Sequence, residues 1–190
     1  MSPQKSRTPA TEVRSALIAA GRRILERDGA AALTVRAVAT EANVAPMGVY
    51  NHFDGKDGLL DALVTDGFAD LAAAVAATDA DANTRLRNSG RNYRRFAVDN
   101  PKMYSLMFSA QCTAEDEVAA RAFGALVEIV RYGQVAGLIR DGDAVALAAE
   151  IWACVHGAVS LELGSVHPPF VDGAAVYEGV LDLVSRGVAT

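Results

Sequence analysis

Six side chains within a 23-residue stretch, Thr34, Arg36, Tyr50, Asn51, His52 and Lys56, bring together hydroxyl, guanidinium, amide, imidazole and ammonium groups, and none of the six is a carboxylate. Hydroxyls and cations of this kind donate to phosphate oxygens, an arginine can take a guanine edge with two hydrogen bonds, and an asparagine can hydrogen-bond a base. The chemistry they suit is recognition of a nucleic acid, not bond breaking. The chain carries no phosphate-binding Gly loop, nucleophile elbow, His-Glu metal motif or paired Cys/His arrangement, so no catalytic residue, metal site or cofactor is expected.

Two short helices and a turn must position these groups. Thr34 can cap a helix opening at Val35, with Val35, Val38, Ala39 and Ala42 recurring on one face. Asn43 tolerates the left-handed conformation that a sharp corner requires. Pro46 suits the first position of a second helix over about 46–52. Val49 and Phe53, four apart, face inward and leave Met47, Gly48, Asn51, His52 and the Tyr50 hydroxyl toward a ligand. Asp54-Gly55 marks a turn, after which Lys56 stands in the first turn of a third helix carrying Leu59, Leu60, Leu63 and Val64. A lysine there opposes the helix dipole, a conflict that a phosphate partner removes. Ala45 is a poor cap, at a cost of about 1 kcal/mol. Gly48 weakens a helix by about 1 kcal/mol relative to alanine and reads no base, but it admits a close backbone approach. Arg36 for guanine and Met47 for a thymine methyl are therefore the best candidates for reading sequence. Ahead of them, Leu17, Ile18, Ala20, Gly21, Ile24 and Leu25 stripe a helix over about 11–28 that ends at Gly29 and leaves Arg22, Arg23 and Arg27 solvated.

Gly29, Leu33-Thr34-Val35-Arg36, Val38-Ala39, Val44, Val49-Tyr50, His52-Phe53, Lys56 and Leu59-Leu60 together resemble the DNA-binding domain of the TetR family of transcriptional regulators, over roughly residues 11–60. The resemblance implies phosphate contacts from Thr34, Tyr50, His52 and Lys56, and base reading by Arg36 and the helix from Pro46 to His52. Asn43 and Ala45 stand where the family commonly has Gly and Ser or Thr.

The 190-residue chain is 51% hydrophobic, rich in alanine and without a sustained alternating strand pattern, so the fold class expected is all-α. Two cysteines, Cys112 and Cys154, suit a reducing compartment rather than a disulfide framework. The polar start MSPQKSRTPATE has no signal-peptide character, and no uninterrupted apolar run reaches the ~18 residues of a membrane span. A cytoplasmic, nucleoid-associated location with no membrane partner is the expectation. The net charge of −5 divides unevenly: residues 1–58 hold eight Lys/Arg against six Asp/Glu, and the remainder ten against seventeen. Lys5, Arg7, Arg14, Arg36 and Lys56 can lie toward phosphates while the acidic remainder faces away.

Beyond residue 58, punctuation divides helical patterns at about 56–77, 83–99, 101–109, 114–139, 143–165 and 172–187. With the three before them, about nine helices are expected: a helix-turn-helix domain over 1–58 and an effector-binding and dimerisation domain over 59–190. Tyr93-x2-Phe96-Ala97, Asn100-Pro101-x2-Tyr104-x2-Met107-Phe108 and Trp152-Ala153-x2-His156-Gly157 resemble the C-terminal domain of a TetR subset named for its Trp-His-Gly signature. Most of the bulk in this part comes from Phe68, Tyr93, Phe96, Met103, Tyr104, Met107, Phe108, Phe123, Val127, Trp152 and His156. They either line a pocket for a small apolar or aromatic effector or fill a core. The helices near 143–165 and 172–187 carry Ala144, Ala148, Ala149, Ala153, Gly157 and Ala158, which allow close approach, with Val176, Val180, Leu183 and Val184 on the second. They suit a homodimer interface. The function expected is a homodimeric repressor on a pseudo-palindromic double-stranded operator, responding to a small-molecule effector. The alternative is a helical small-molecule-binding or chaperone-like module with little DNA affinity.

Overall fold

A computed structural model describes residues 10–109 and 114–190. Lys5, Arg7 and Cys112 lie outside them. Nine α-helices are present among the described residues: α1 (Ala10–Asp28), α2 (Val35–Glu41), α3 (Met47–Phe53), α4 (Lys56–Val75), α5 (Ala82–Asp99), α6 (Pro101–Met107), α7 (Asp116–Val135), α8 (Ala144–Leu163) and α9 (Gly173–Val188), with a 3-10 turn at Ala30–Ala32. The all-α expectation holds, and most predicted ends differ by one to four residues. The recognition helix is one residue out of register: Pro46 is its N-cap and Phe53 its last residue.

The helices divide between two compact units. The first takes Met1–Gly67 and Lys102–Glu115, the second Phe68–Pro101 and Asp116–Thr190. The unit built around the helix-turn-helix thus runs past the motif boundary at 58 and includes nearly all of α6.

In the first unit, α1 packs on α2 and α3. Leu17, Leu25, Leu33, Val38, Val49, Leu59 and Leu63 are fully buried, which is the inward face expected from their spacing. An added Cβ on Gly21 of α1 would lie 3.0 Å from Leu63 Cδ1, so α4 approaches α1 closely. Arg22 Nε donates to Asp66 Oδ2 at 2.5 Å and ties the same helices. Three contacts hold α6. Lys102 Nζ donates to the carbonyls of Glu26 (2.6 Å) and Arg27 (3.0 Å) at the C-terminal end of α1, a favourable place for a cation. A Cβ on Gly67 would sit 2.8 Å from Met107 Sδ. Glu115 N donates to Thr65 Oγ1 at 3.1 Å.

In the second unit, α8 packs on α5, α7 and α9, and α5 also meets α7 and α9. Its core includes Leu86, Val127, Val130, Leu147, Ala148, Ile151, Val184 and Val188. Side chains of Asp81, Asp143 and Asp172 cap α5, α8 and α9 by accepting from backbone N–H groups. Ion pairs reinforce the packing: Arg91 grips Glu178 through two bonds of 2.9 Å, Arg87 pairs with Asp182, and Arg94 holds Glu162 through bonds of 2.8 and 2.5 Å. Hydrogen bonding from Arg91 holds the Glu178 carboxyl below its ordinary range, and Arg87 does the same for Asp182.

By length and composition, α8 is apolar enough to cross a membrane, although Glu150, His156 and Glu162 interrupt any continuous apolar run. Its apolarity has a local source. One side is buried in the helical core, while Ala146, Ala149, Ala153 and Gly157 are exposed.

Candidate nucleic-acid interface

The corner between α2 and α3 is built from backbone geometry. The Thr34 side chain caps α2 by accepting from Ala37 N at 3.1 Å, which leaves its hydroxyl proton available to an external acceptor. Asn43 takes the left-handed conformation, φ 54°. Around it Asn43 N donates to Thr40 O (3.1 Å) and Val44 N to Ala39 O (2.9 Å). These are the two bonds of a Schellman motif, so asparagine serves where glycine is commoner. The start of α3 has no side-chain cap. Two three-residue backbone bonds tighten it instead, Gly48 N to Ala45 O (2.8 Å) and Val49 N to Pro46 O (3.1 Å). Asp54, φ 55°, and Gly55, φ 97°, then turn the chain into α4.

This frame buries Val49 and Phe53 and projects Met47, 64% exposed, and Tyr50, 55% exposed. Thr34, Arg36, Pro46, Asn51 and Lys56 are exposed as well. His52 is half-buried, its ring tilted against Phe53 at a centroid distance of 6.3 Å. Gly48 is also half-buried and lies against Val44.

Charge separates the candidates more sharply than exposure. Arg22 pairs with Asp66 (2.5 Å) and Arg23 with Glu41 (2.9 Å). Arg27 pairs with Asp28 (2.9 Å) and Glu41 (3.6 Å). The Glu41 carboxyl lies below its ordinary range, chiefly through the Arg23 hydrogen bond. Arg14 stacks over the Phe53 ring at 5.2 Å. Of the three arginines expected to be solvated, Arg23 and Arg27 are exposed although ion-paired, while Arg22 is half-buried against Asp66. Arg36 and Lys56 make no ion pair among the described residues. Thr34 and Arg36 share the wall of an open cleft of about 710 Å³ with Arg27 and Thr40.

The bulky residues are divided between the two units. Met103, Tyr104, Met107 and Phe108 belong to the first unit, where the Tyr104 and Phe108 rings lie tilted at 56° with centroids 4.8 Å apart. Phe68, Tyr93, Phe96, Phe123, Val127, Trp152 and His156 belong to the second. Val127 is part of its core and Phe123 packs against that core. Phe123 also meets Trp152 edge-on at 6.2 Å.

A polar chain runs through this cluster. Trp152 Nε1 donates to the Tyr93 hydroxyl at 3.3 Å, and that hydroxyl is 2.8 Å from His156 Nδ1. An indole N–H only donates, so the Tyr93 oxygen accepts from it, and the direction of the Tyr93–His156 bond follows the tautomer of His156. Burial holds His156 below the ordinary value of 6.5. The unfolded chain consequently takes up this proton first as pH falls, and folded stability declines from about pH 6.5 downward. We expect His156→Gln to flatten that decline, as read from urea midpoints between about pH 7 and 5. Parallel slopes in variant and wild type would refute the assignment.

Residues 86–184, more than half of the chain, match the family described as tetracyclin repressor-like, C-terminal domain. Residues 17–63 match bacterial regulatory proteins of the tetR family. The chain is similar to an HTH-type transcriptional regulator of Mycobacterium bovis, 28% identical over 196 residues that cover 84% of each chain. An uncharacterized HTH-type transcriptional regulator of Mycobacterium tuberculosis is 29% identical over 185 residues, 95% of this chain and 83% of the other. Among solved structures, a protein of unknown function from Rhodococcus sp. RHA1 superposes with a TM-score of 0.81 at 28% identity, covering 100% of both chains.

Proposed function

Because this chain belongs to the TetR family of transcriptional regulators, and is a DNA-binding regulator rather than an enzyme, we propose that it acts as a homodimeric repressor of a pseudo-palindromic operator. The observation that carries the DNA site is the pair of unmatched cations. Arg22, Arg23 and Arg27 spend their charge on Asp66, Glu41 and Asp28, whereas Arg36 and Lys56 stand exposed, as do Thr34, Tyr50 and Met47. Thr34, Tyr50, His52 and Lys56 contact phosphates; Arg36, Met47 and Asn51 reach base edges from the start of α2 and from α3. Pro46, exposed at the N-cap of α3, shapes the entry to that helix and lies within the DNA-facing set.

The dimer surface is the outer side of α8 and α9. Trp152, Leu161, Val176 and Leu183 are exposed there. Gly157, Gly179 and Gly187 lie within the same helices, and a Cβ on any of them would meet nothing within 4 Å. Glycine inside a helix costs about 1 kcal/mol relative to alanine. No neighbour within the protomer accounts for that cost, but helices of a second copy packing closely would. A two-fold axis through this face pairs two recognition helices on one operator.

The effector domain carries Phe68, Phe96, Phe123, Trp152 and the Tyr93–His156 pair. An apolar or aromatic molecule settling among them is the regulatory half of the proposal. It works only if the effector prefers one of two dimer geometries. α4 supplies residues to both units and is the element through which such a preference passes.

A gel shift on the DNA flanking its own gene tests the DNA-binding half. Arg36→Ala and Tyr50→Phe are expected to weaken operator binding. Lys56→Ala should weaken all duplexes alike and lower the salt dependence by about one counterion. Unchanged affinity in Arg36→Ala and Tyr50→Phe would sink the site assignment. No shift on any duplex would favour the helical binding-module alternative.

A further inference from the structure

We propose that Lys102 is a positioning residue for DNA reading: its ammonium closes the C-terminal end of α1, and that end sets where Thr34 and Arg36 stand. The inference rests on the DNA-facing role of those two residues and adds a cation, outside the helix-turn-helix, that holds them in place.

The last carbonyls of an α-helix have no partner within it. At the end of α1, Gly29 N returns to Leu25 O at 2.9 Å. The bonds that follow, Ala32 N to Gly29 O (3.1 Å) and Leu33 N to Ala30 O (3.2 Å), bypass the carbonyls of Glu26 and Arg27. Lys102 Nζ donates to both, at 2.6 and 3.0 Å. The placement is poor for its own helix and good for α1. Lys102 stands in the first turn of α6, where a cation opposes the dipole, but its head lies at the C-terminal end of α1, where a cation is favoured. Lys56, also in a first turn, is exposed, whereas Lys102 is half-buried. The segment that carries Lys102 is held twice more within the same unit, by Met107 against Gly67 and by Glu115 N on Thr65 Oγ1.

The end of α1 is coupled to both ends of α2. Toward the start, Gly29 at φ 84° turns the chain, the 3-10 turn follows, Leu33 is fully buried and Thr34 caps α2. Nothing slack intervenes. Toward the finish, Arg23 and Arg27 both reach Glu41, the last residue of α2. Arg27, whose carbonyl Lys102 holds, lines the same open cleft as Thr34 and Arg36. Without the ammonium, the last turn of α1 should fray and Thr34 and Arg36 should shift together. Operator reading should then suffer more than general affinity for duplex DNA, which needs only cations near phosphates.

The test compares Lys102→Met and Lys102→Arg with wild type, all as full chains. Gel shifts on the operator and on an unrelated duplex, across a series of salt concentrations, report reading. Amide hydrogen exchange over residues 25–37, set against α9, reports the end of α1 without DNA. Lys102→Met keeps most of the stem and removes the charge. It should lose about tenfold in operator affinity, the scale of one mismatched base pair, with less change on the unrelated duplex. Its salt slope should match wild type, because no phosphate contact is lost. Exchange should quicken over 25–37 and stay as it was in α9. Lys102→Arg returns a cation to the same place and should recover most of both losses.

A salt slope lowered by about one in Lys102→Met overturns the proposal, since the ammonium would then be meeting a phosphate. So does an unchanged operator affinity, an equal loss on both duplexes, or a Lys102→Arg variant that reads no better than Lys102→Met. Should wild type shift no duplex, the DNA-reading role fails on its own account. Unchanged exchange over 25–37 in Lys102→Met would still refute the closing of α1, and quickened exchange would uphold it.

Discussion

Gly58→Ala should cost about 3 kcal/mol or more of folding stability, the upper end of what overpacking costs, and abolish operator binding. A Cβ at this position would lie 1.6 Å from the Phe53 carbonyl oxygen and 2.7 Å from its carbon. Both are backbone atoms at the end of α3, so no rotamer change relieves the collision. The chain between them already turns through left-handed conformations at Asp54 and Gly55. Relief requires α3 and α4 to separate, which would lift Leu59 and Leu63 out of full burial and move Lys56 relative to Tyr50. A fall in the urea midpoint with a lost gel shift is the expected result. Gly124→Ala in α7, where an added Cβ meets nothing within 4 Å, is the control and should be neutral or stabilising. If Gly58→Ala melts like wild type, the close α3–α4 junction is not a feature of the protein in solution.

The second large effect is expected at Gly157. Gly157→Arg places a long cation where the protomer has open space, so the folded protomer should tolerate it, while a second copy packed against α8 should not. Light scattering should show a dimer for wild type and a monomer for Gly157→Arg. Operator affinity should fall by about 100-fold, because the two half-sites are then bound as separate events. Gly157→Ala separates the two roles by sign: it should raise helix stability by about 1 kcal/mol and still weaken the dimer. A variant Gly157→Arg that remains dimeric would move the two-fold axis away from this face.

What could be read in advance follows how far each cause reaches along the chain. The Thr34 cap, the left-handed Asn43 and the buried pair Val49 and Phe53 were legible because each is decided within a turn or two of helix. The roles of Arg22 and Arg23 were not, since Asp66 and Glu41 come near them only when α1, α2 and α4 pack. Those ion pairs are what single out Arg36 and Lys56, so the clearest mark of the site is a by-product of tertiary structure. Gly48 was visible as an oddity, but the Val44 methyl that lies against it comes near only once the corner is built. The division of the candidate pocket residues between the units was the least legible. Met103, Tyr104, Met107 and Phe108 follow α5 directly in sequence yet group with the other unit, and no periodicity announces that.

The path of α6 bears on how this protein can be cut. Lys102–Glu115 belongs to the first unit, but the chain reaches it from the second unit and returns there afterwards. One cleavage after Gly67 therefore separates the first unit from its own residues 102–115. The N-terminal fragment leaves the last carbonyls of α1 without the Lys102 ammonium, Thr65 without Glu115, and Gly67 without Met107. Swapping effector domains between relatives at that point would split a folded unit, and a workable exchange has to carry residues 102–115 with the reading head.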